Sequence, residues 1–292
     1  MNAPIGRRDF LGFAAATAAA VLAARSGWAS SAKPKLKKAV KFGMIGIKGS
    51  NTEKLELVKK LGFQGVEIDS PSGLDLDDLV KARDATGIAI HGVIDSVHWK
   101  DTLSHPDEAV RAKGLKALET ALRDAKKVGA DTALLVPGVV NKEATYEQCY
   151  ERSQAEVKKA LPLAEKLGVK IAIEVVWNNF ITKPEQLVQY VDDFKSPWVG
   201  AYFDCSNMVK YKVPSADWIR KLGKRMLKFD FKAYSHAKKW DVAIGEGDED
   251  WPEILKALGE IGYDGWATAE VAGGGEKELQ DVAERMNRVL GL

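Results

Sequence analysis

Apolar and polar positions follow two alternating patterns from about residue 40 to the end of the chain. Short apolar runs predict buried β-strands, and the stretches between them, with an apolar residue every three or four positions, predict amphipathic helices. The predicted strands are Val40–Gly46, Gly65–Asp69, Ile88–Val93, Thr132–Gly138, Val169–Val176, Val199–Asn207, Met226–Lys232 and Gly265–Val271. The predicted helices are Thr52–Leu61, Leu76–Thr86, Pro106–Val128, Tyr146–Leu167, Pro184–Phe194, Ala216–Leu222, Pro252–Ile261 and Glu276–Leu290. This repeated strand–helix order over roughly 250 residues predicts a single α/β domain, a closed (β/α)8 TIM barrel.

A doubly wound open sheet is the alternative fold for the same alternation. That fold is expected to carry a Gly-x-Gly-x-x-Gly turn after its first strand. Residues 46–51, at the end of the first predicted strand, lack this spacing. Glycines also follow three predicted helices just before the next strand, at Gly62, Gly129 and Gly168, which is typical of helix ends. We therefore favour the closed barrel and place it over residues 33–292.

The first 32 residues have the layout of an export signal. Arg7 and Arg8 precede Phe10, an alanine-rich apolar run extends from Ala14 to Ala24, and small residues near position 30 suit a cleavage site. This layout resembles a twin-arginine (Tat) signal peptide, which implies passage through the Tat translocon and a periplasmic or secreted protein. A membrane anchor is the alternative, but the run is shorter than the roughly 20 residues that span a bilayer. We predict that residues 1–32 are signal peptide and the start of a linker, and that the mature chain has no stable membrane insertion.

Charge and composition exclude several classes of function. Lysine and arginine number 43 against 41 aspartates and glutamates, so the net charge of +2 gives no electrostatic basis for nucleic-acid binding. The sequence contains neither a P-loop nor a Cys-x-x-Cys pair. Cys149 and Cys205 allow at most one disulfide, and we interpret both as packing residues. The predicted partner is therefore a small molecule.

Alternation along the predicted strands places polar side chains inside the barrel. Neighbouring strand residues face opposite sides, so in the seventh strand the apolar side leaves Lys228, Asp230 and Lys232 pointing inward. Several other inward residues stand near the C-terminal ends of their strands, where such barrels carry their active sites. The further inward polar residues are Glu67, Asp69, His91, Glu174, Asp204 and Glu270.

The inward carboxylates need compensating positive charge, because burying an unpaired ion costs several kcal/mol. A divalent cation would supply that charge, since oxygen ligands suit Mg²⁺ and Mn²⁺. The alternative is a set of internal salt bridges in which Lys228 and Lys232 provide the positive charge.

Four segments, taken in order and spacing, resemble one protein family. They are Ile173–Phe180, Tyr202–Asn207, Gly245–Trp251 and Gly262–Glu270. Together they resemble the xylose-isomerase-like TIM barrel superfamily of sugar isomerases and epimerases. The resemblance implies one divalent metal ion, with Mn²⁺ favoured over Mg²⁺, Co²⁺ or Zn²⁺. The implied metal ligands are Glu174, Asp204, Asp230 and Glu270.

Two positions depart from the family pattern. Asp230 stands where the family usually has a histidine ligand, and Asn207 stands where many relatives place a substrate-binding histidine. Lys232 would compensate the added negative charge, and His236 lies near the place where ketose epimerases direct an arginine toward substrate. Polar side chains and two tryptophans near the strand ends complete the predicted sugar contacts. The candidate substrate-binding residues are Glu67, His91, His98, Trp99, Trp177, Asn207, Lys232 and His236.

The two glutamates suggest proton transfer next to a sugar carbonyl. Glu174 and Glu270, on opposite sides of a sugar, would remove and return the proton, while the metal stabilises the enediolate as a Lewis acid. The leading hypothesis is therefore a metal-dependent isomerase or epimerase of an unphosphorylated keto-sugar. One alternative is a metal-dependent lyase or hydratase that eliminates a group from a 3-keto-glycoside, and another is a non-catalytic exported sugar-binding barrel. The resemblance also implies that copies of the chain associate as a homo-oligomer.

Overall fold

The computed structural model describes residues 34–292, so the predicted signal peptide lies outside the described residues. Within them, eight parallel strands follow one another around a closed barrel, and β1 closes it by pairing with β8. The strands are β1 (Lys37–Lys41), β2 (Gly65–Ser70), β3 (Ala89–Asp95), β4 (Thr132–Leu135), β5 (Lys170–Glu174), β6 (Val199–Asp204), β7 (Met226–Phe231) and β8 (Trp266–Ala269). The predicted TIM barrel is confirmed.

Helices surround the barrel and connect its strands. They are α1 (Asn51–Lys60), α2 (Leu76–Thr86), α3 (Glu108–Val128), α4 (Tyr146–Leu167), α5 (Pro184–Asp192), α6 (Cys205–Val209), α7 (Ser215–Leu222), α8 (Trp251–Glu260) and α9 (Glu276–Leu290). The predicted bounds of α2, α4 and α9 agree with the structure. Gly129 and Gly168 end α3 and α4 in left-handed conformations, with φ of 81° and 68°, which confirms the role of these glycines as helix stops.

The first strand differs from its predicted position. It spans Lys37–Lys41 rather than Val40–Gly46, because the apolar residues Phe42 and Met44 lie in a short buried 3₁₀ turn instead of continuing the strand. The chain then passes beside the loop after β8, where the Gly46 backbone N–H donates to the Gly274 carbonyl at 2.8 Å. The shift makes Lys41 the last residue of β1, a position that the predicted bounds had obscured.

The apolar residues divide between two sides of the sheet. A large core cluster fills the layer between the strands and the surrounding helices, whereas a small cluster of Leu134, Ala172 and Tyr202 lies apart from it. Buried charged side chains accompany this small cluster, and the barrel interior is therefore largely polar, as strand alternation predicted. Cys149 and Cys205 are both buried free thiols, in agreement with their interpretation as packing residues. Among the described residues, no helix is both long enough and apolar enough to cross a membrane.

Candidate active site

Three carboxylates meet where β5, β6 and β8 end. Glu174 is the last residue of β5, Asp204 is the last of β6, and Glu270 directly follows β8. One oxygen from each lies within 4.8 Å of the others. We call these three residues the carboxylate triad. They converge at the C-terminal face of the barrel, the face on which such folds carry their active sites.

Local structure orients two members of the triad. Asp204 caps the N-terminus of α6, where its Oδ1 accepts hydrogen bonds from the backbone N–H groups of Ser206 at 2.8 Å and Asn207 at 3.0 Å. This arrangement leaves Oδ2 of Asp204 to face the site. The Asn207 side chain donates to Glu174 Oε1 at 3.4 Å, and its own Oδ1 is buried without a hydrogen-bond partner. Sequence alternation extended β6 to Asn207, but the Asp204 cap ends the strand and starts a helix there.

Lys232 supplies positive charge inside the triad. Its ammonium donates to Asp204 Oδ2 and to Glu270 Oε2, each at 2.6 Å. The Asp204 side chain is fully buried, whereas the Glu270 side chain is 44% exposed. Burial opposes ionisation of Glu270, but Lys41 and Lys232 outweigh it, so the pKa of Glu270 lies below its ordinary value. Burial instead raises the pKa of Glu174 well above its ordinary value.

Asp230 belongs to a second ionic network, not to the group of oxygens that the triad brings together. Its Oδ2 lies 2.7 Å from the Lys41 ammonium, and the same ammonium donates to Glu67 Oε2 at 2.6 Å. The Tyr202 hydroxyl donates to Glu67 Oε2 at 2.7 Å. The side chains of Glu67 and Asp230 are 1% and 0% exposed, so we call this group with Lys41 and Tyr202 the buried lysine network. The structure thus brings three of the four predicted metal ligands together and pairs the fourth with a lysine.

His91 and Lys228 lie toward the opposite end of the barrel. The Lys228 ammonium donates to the His91 carbonyl at 2.9 Å and pairs at 2.7 Å with Asp131, which directly precedes β4. The His91 ring stacks on Trp266, the first residue of β8, with centroids 4.2 Å apart. Burial and the neighbouring Lys228 hold the pKa of His91 well below its ordinary value, so this histidine is neutral at pH 7. His91 and Lys228 therefore have partners inside the barrel at the end opposite the triad, whereas Glu67 has its partners in the buried lysine network.

The remaining predicted sugar contacts divide between buried and exposed positions. His98 is buried, and burial lowers its pKa to about 4. Trp99 and Trp177 are 50% and 47% exposed, with ring centroids 6.5 Å apart. His236 is also exposed, and its backbone N–H donates to Asp248 Oδ2 at 2.7 Å. Two exposed tryptophan rings on neighbouring loops offer apolar surface to a ligand.

A cavity of about 1070 Å³ opens beside the triad and is lined by Glu270, Lys232, Trp177 and Trp240. Its size is slightly above the about 300–1,000 Å³ typical of small-molecule sites. The lining also includes several ionic side chains, among them Arg285, which pairs with Asp281 at 2.7 Å and Glu246 at 2.8 Å. We call this space the rim cavity.

Sequence reasoning missed Lys41 and Ser206. Lys41 was missed because the predicted first strand began one residue before it and ran on to Gly46, which hid the lysine at the strand end. The signal that could have found it is the alternation of Lys37, Ala39 and Lys41, which places one lysine at each end of the same strand face. Ser206 accepts a hydrogen bond from the Lys232 backbone N–H at 3.1 Å, a contact between separate elements that no local pattern encodes.

The triad suits a divalent cation by the chemistry of its donors. Three carboxylate oxygens are the ligands that hard divalent ions prefer, and the unpartnered Asn207 Oδ1 adds a further buried acceptor next to Glu174. The residues present therefore fit a metal ion once the Lys232 ammonium has moved away from Asp204 and Glu270.

The fold is a closed parallel barrel, and its acidic side chains converge at the C-terminal face. These two features define the class of TIM-barrel proteins that carry an active site at that face. Residues 55–289 match the family model described as "Xylose isomerase-like TIM barrel". The chain belongs to this family.

Curated and solved relatives extend this assignment. The chain is 25% identical over 224 residues to L-ribulose-5-phosphate 3-epimerase UlaE of Escherichia coli O1:K1 / APEC, a match that covers 73% of this chain and 79% of the relative. D-psicose 3-epimerase, solved in the presence of D-fructose, has 22% identity and a TM-score of 0.72 over 88% of this chain and 100% of its own. The IOLI protein, solved with a bound zinc atom, has 19% identity and a TM-score of 0.74 over 88% and 98%. The 3-keto-D-glucoside 4-epimerase YcjR of E. coli has 16% identity and a TM-score of 0.74 over 88% and 100%. These solved structures show the shared fold.

Proposed function

We propose that this protein is a divalent-metal-dependent sugar epimerase or isomerase that moves a proton on the carbon next to a carbonyl. The observation that carries the proposal is the convergence of the carboxylate triad at the C-terminal face of a barrel in this family. The names of the relatives, which include 3-epimerases and a 4-epimerase, support the same reaction class.

Glu174 and Glu270 are the proposed proton-transfer residues. They extend from β5 and β8 toward the same space, so a sugar between them can lose a proton to one carboxylate and receive it from the other. Return of the proton to the opposite face of the same carbon gives the epimer, and return to the neighbouring carbon gives the isomer. A divalent cation held by Glu174, Asp204 and Glu270, with Mn²⁺ proposed first, would stabilise the negative charge that develops on the carbonyl oxygen.

We propose an unphosphorylated keto-sugar as substrate. The rim cavity is lined by five carboxylates, which oppose a phosphate group, and its arginine is already paired with two of them. The lining carboxylates are Asp241, Glu246, Glu270, Glu278 and Asp281. The Tat signal that residues 1–32 predict agrees with this choice, because phosphorylated sugars are mostly cytoplasmic, and we propose export to the periplasm or beyond.

A lyase acting on a 3-keto-glycoside is the second candidate. The rim cavity favours it, because about 1070 Å³ is more space than a single sugar ring needs and Trp177 and Trp240 line it. Proton removal next to the 3-keto group would then expel the group two carbons away from that carbonyl, with the electron pair leaving on the glycosidic oxygen.

The test is incubation of the metal-loaded protein with D-psicose, D-fructose or D-tagatose in D₂O. The proposal expects deuterium in the recovered sugar and the appearance of its epimer or isomer, both abolished in Glu174→Gln and in Glu270→Gln. Release of the aglycone from a 3-keto-glycoside would select the lyase. If the protein bound sugar but exchanged deuterium into none of these substrates, both enzyme proposals would be refuted and the sugar-binding barrel would remain.

A further inference from the structure

Lys232 occupies the position between two of the three triad carboxylates. Its ammonium lies 2.6 Å from Asp204 Oδ2 and 2.6 Å from Glu270 Oε2, so both oxygens that face the site already have a cationic partner. The Lys232 backbone N–H also donates to Ser206 Oγ at 3.1 Å, which anchors the base of the side chain beside α6. Charge-assisted hydrogen bonds of this length are among the stronger ones in proteins.

Asp230 does not offer a metal ion free oxygens in place of the two carboxylate oxygens that pair with Lys232. The Lys41 ammonium lies 2.7 Å from its Oδ2, and the backbone N–H of Phe231 donates to its Oδ1 at 2.8 Å. Oδ2 of Asp230 is thus engaged in the buried lysine network, and Oδ1 is engaged with the backbone. A metal ion at the triad would have to take Asp204 and Glu270 from Lys232.

We propose that Lys232 is a built-in competitor for the metal, so that a divalent ion binds the triad only when the lysine ammonium leaves Asp204 and Glu270. This inference rests on the proposed metal site but not on any sugar reaction. A metal ion and an ammonium cannot share the same carboxylate oxygens, because the two cations repel each other at that distance. The ammonium has space to move, since Lys232 also lines the rim cavity and its side chain is 23% exposed.

The test measures Mn²⁺ binding to the chelator-treated full chain by isothermal titration calorimetry, without sugar. We expect Lys232→Met to lower the Mn²⁺ dissociation constant roughly 10- to 100-fold, because the free energy of hydrogen bonds to charged groups corresponds to a change of that size. Lys232→Gln, which keeps a polar side chain, is expected to shift the constant in the same direction and guards against a folding defect in the methionine variant. Thermal unfolding with and without Mn²⁺ gives a second readout, since tighter binding produces a larger rise in Tm.

Two control variants separate competition from general electrostatics. Lys232→Arg keeps the charge and is expected to bind Mn²⁺ as weakly as the wild type. Lys277→Met removes a positive charge from the same cavity lining without touching the triad, and is expected to change the constant little. Equal or weaker Mn²⁺ binding in both neutral Lys232 variants would overturn the inference. If the wild type nevertheless bound Mn²⁺ and lost it on Glu174→Gln, the proposed metal site would stand and only the competition would fail. Tightened binding together with no deuterium exchange in any sugar would support the inference while the proposed reaction failed.

Discussion

Replacing Lys41 with methionine tests how much the buried lysine network stabilises the barrel. The substitution keeps an unbranched side chain but removes the ammonium that pairs with two buried carboxylates at once. Glu67 loses a partner at 2.6 Å and Asp230 loses one at 2.7 Å, while their side chains stay 1% and 0% exposed. Tyr202 still donates to Glu67 at 2.7 Å, so one hydrogen bond to that carboxylate remains.

The expected loss follows from stranding buried charge. Removing one partner of a buried ion pair costs about 3–5 kcal/mol. For a domain of this size that loss corresponds to a fall in Tm on the order of 10 °C. Burial outweighs the Lys41 ammonium, which favours the ionised form of Asp230, and raises the pKa of that carboxyl to about 8 in the wild type. Without the lysine, the pKa of Asp230 is expected to rise further.

The sign of the pH dependence follows from that rise in pKa. At pH 5 the Asp230 carboxyl is protonated in the folded state with or without Lys41, whereas above about pH 8 it ionises in the wild type but stays protonated in Lys41→Met. The deficit of Lys41→Met relative to wild type should therefore be smaller at pH 5 than at pH 9. In the wild type, burial opposes the charge on Lys41 but Asp230 and Glu67 outweigh it and raise its pKa well above 10.5. The stability that Lys41 contributes is fully present below 10.5, so both measurements lie outside the range in which Lys41 itself titrates.

Urea unfolding followed by circular dichroism at pH 9 and pH 5 measures the deficit. Lys38→Met is the matched control on the same strand, because the Lys38 ammonium bonds the neutral oxygens of Asn287 at 2.6 Å and Ala283 at 3.4 Å. The control is expected to lose about 1 kcal/mol, with no dependence on pH in this range. A loss below about 1 kcal/mol in Lys41→Met, or a deficit that is the same at both pH values, would refute the reasoning.

Three further predictions concern single side chains. Burial raises the pKa of Asp95 to about 7, so the free-energy cost of ionising this carboxyl in the folded state grows as the pH rises from about 4 to 7. Urea unfolding should therefore show that Asp95→Asn stabilises the protein about 2 kcal/mol more at pH 8 than at pH 5. An equal gain at both pH values would contradict this. Calorimetry with Mn²⁺ should show that Asp204→Asn weakens binding roughly tenfold or more and that Asp230→Asn weakens it less; the reverse order would return Asp230 to the metal site. The Trp177 ring is 47% exposed and lines the rim cavity. Trp177→Ala should therefore raise KM about three- to tenfold with little change in kcat or Tm. An unchanged KM would show that this ring does not contact the substrate.

Local pattern was enough for the fold and for most of the triad. The recurring apolar runs and the glycine stops at Gly129 and Gly168 predicted the barrel, because helix periodicity and helix ends depend on residues close in sequence. Strand alternation predicted that Glu174 and Asp204 point inward for the same reason. Helix periodicity, helix ends and strand alternation do not depend on the order in which the strands pair.

Only the tertiary structure decided which cation each carboxylate meets. Inside the barrel, Lys41 of the first strand pairs with Asp230 of the seventh, two strands away around the closed sheet, and Lys232 rather than Asp230 contacts the triad. Alternation states the side of the sheet but not the depth along the barrel axis, and it therefore could not separate Lys228 at one end from Lys232 at the other. Depth depends on the register in which the strands pair and on the length of each side chain, and both become defined only when the barrel closes.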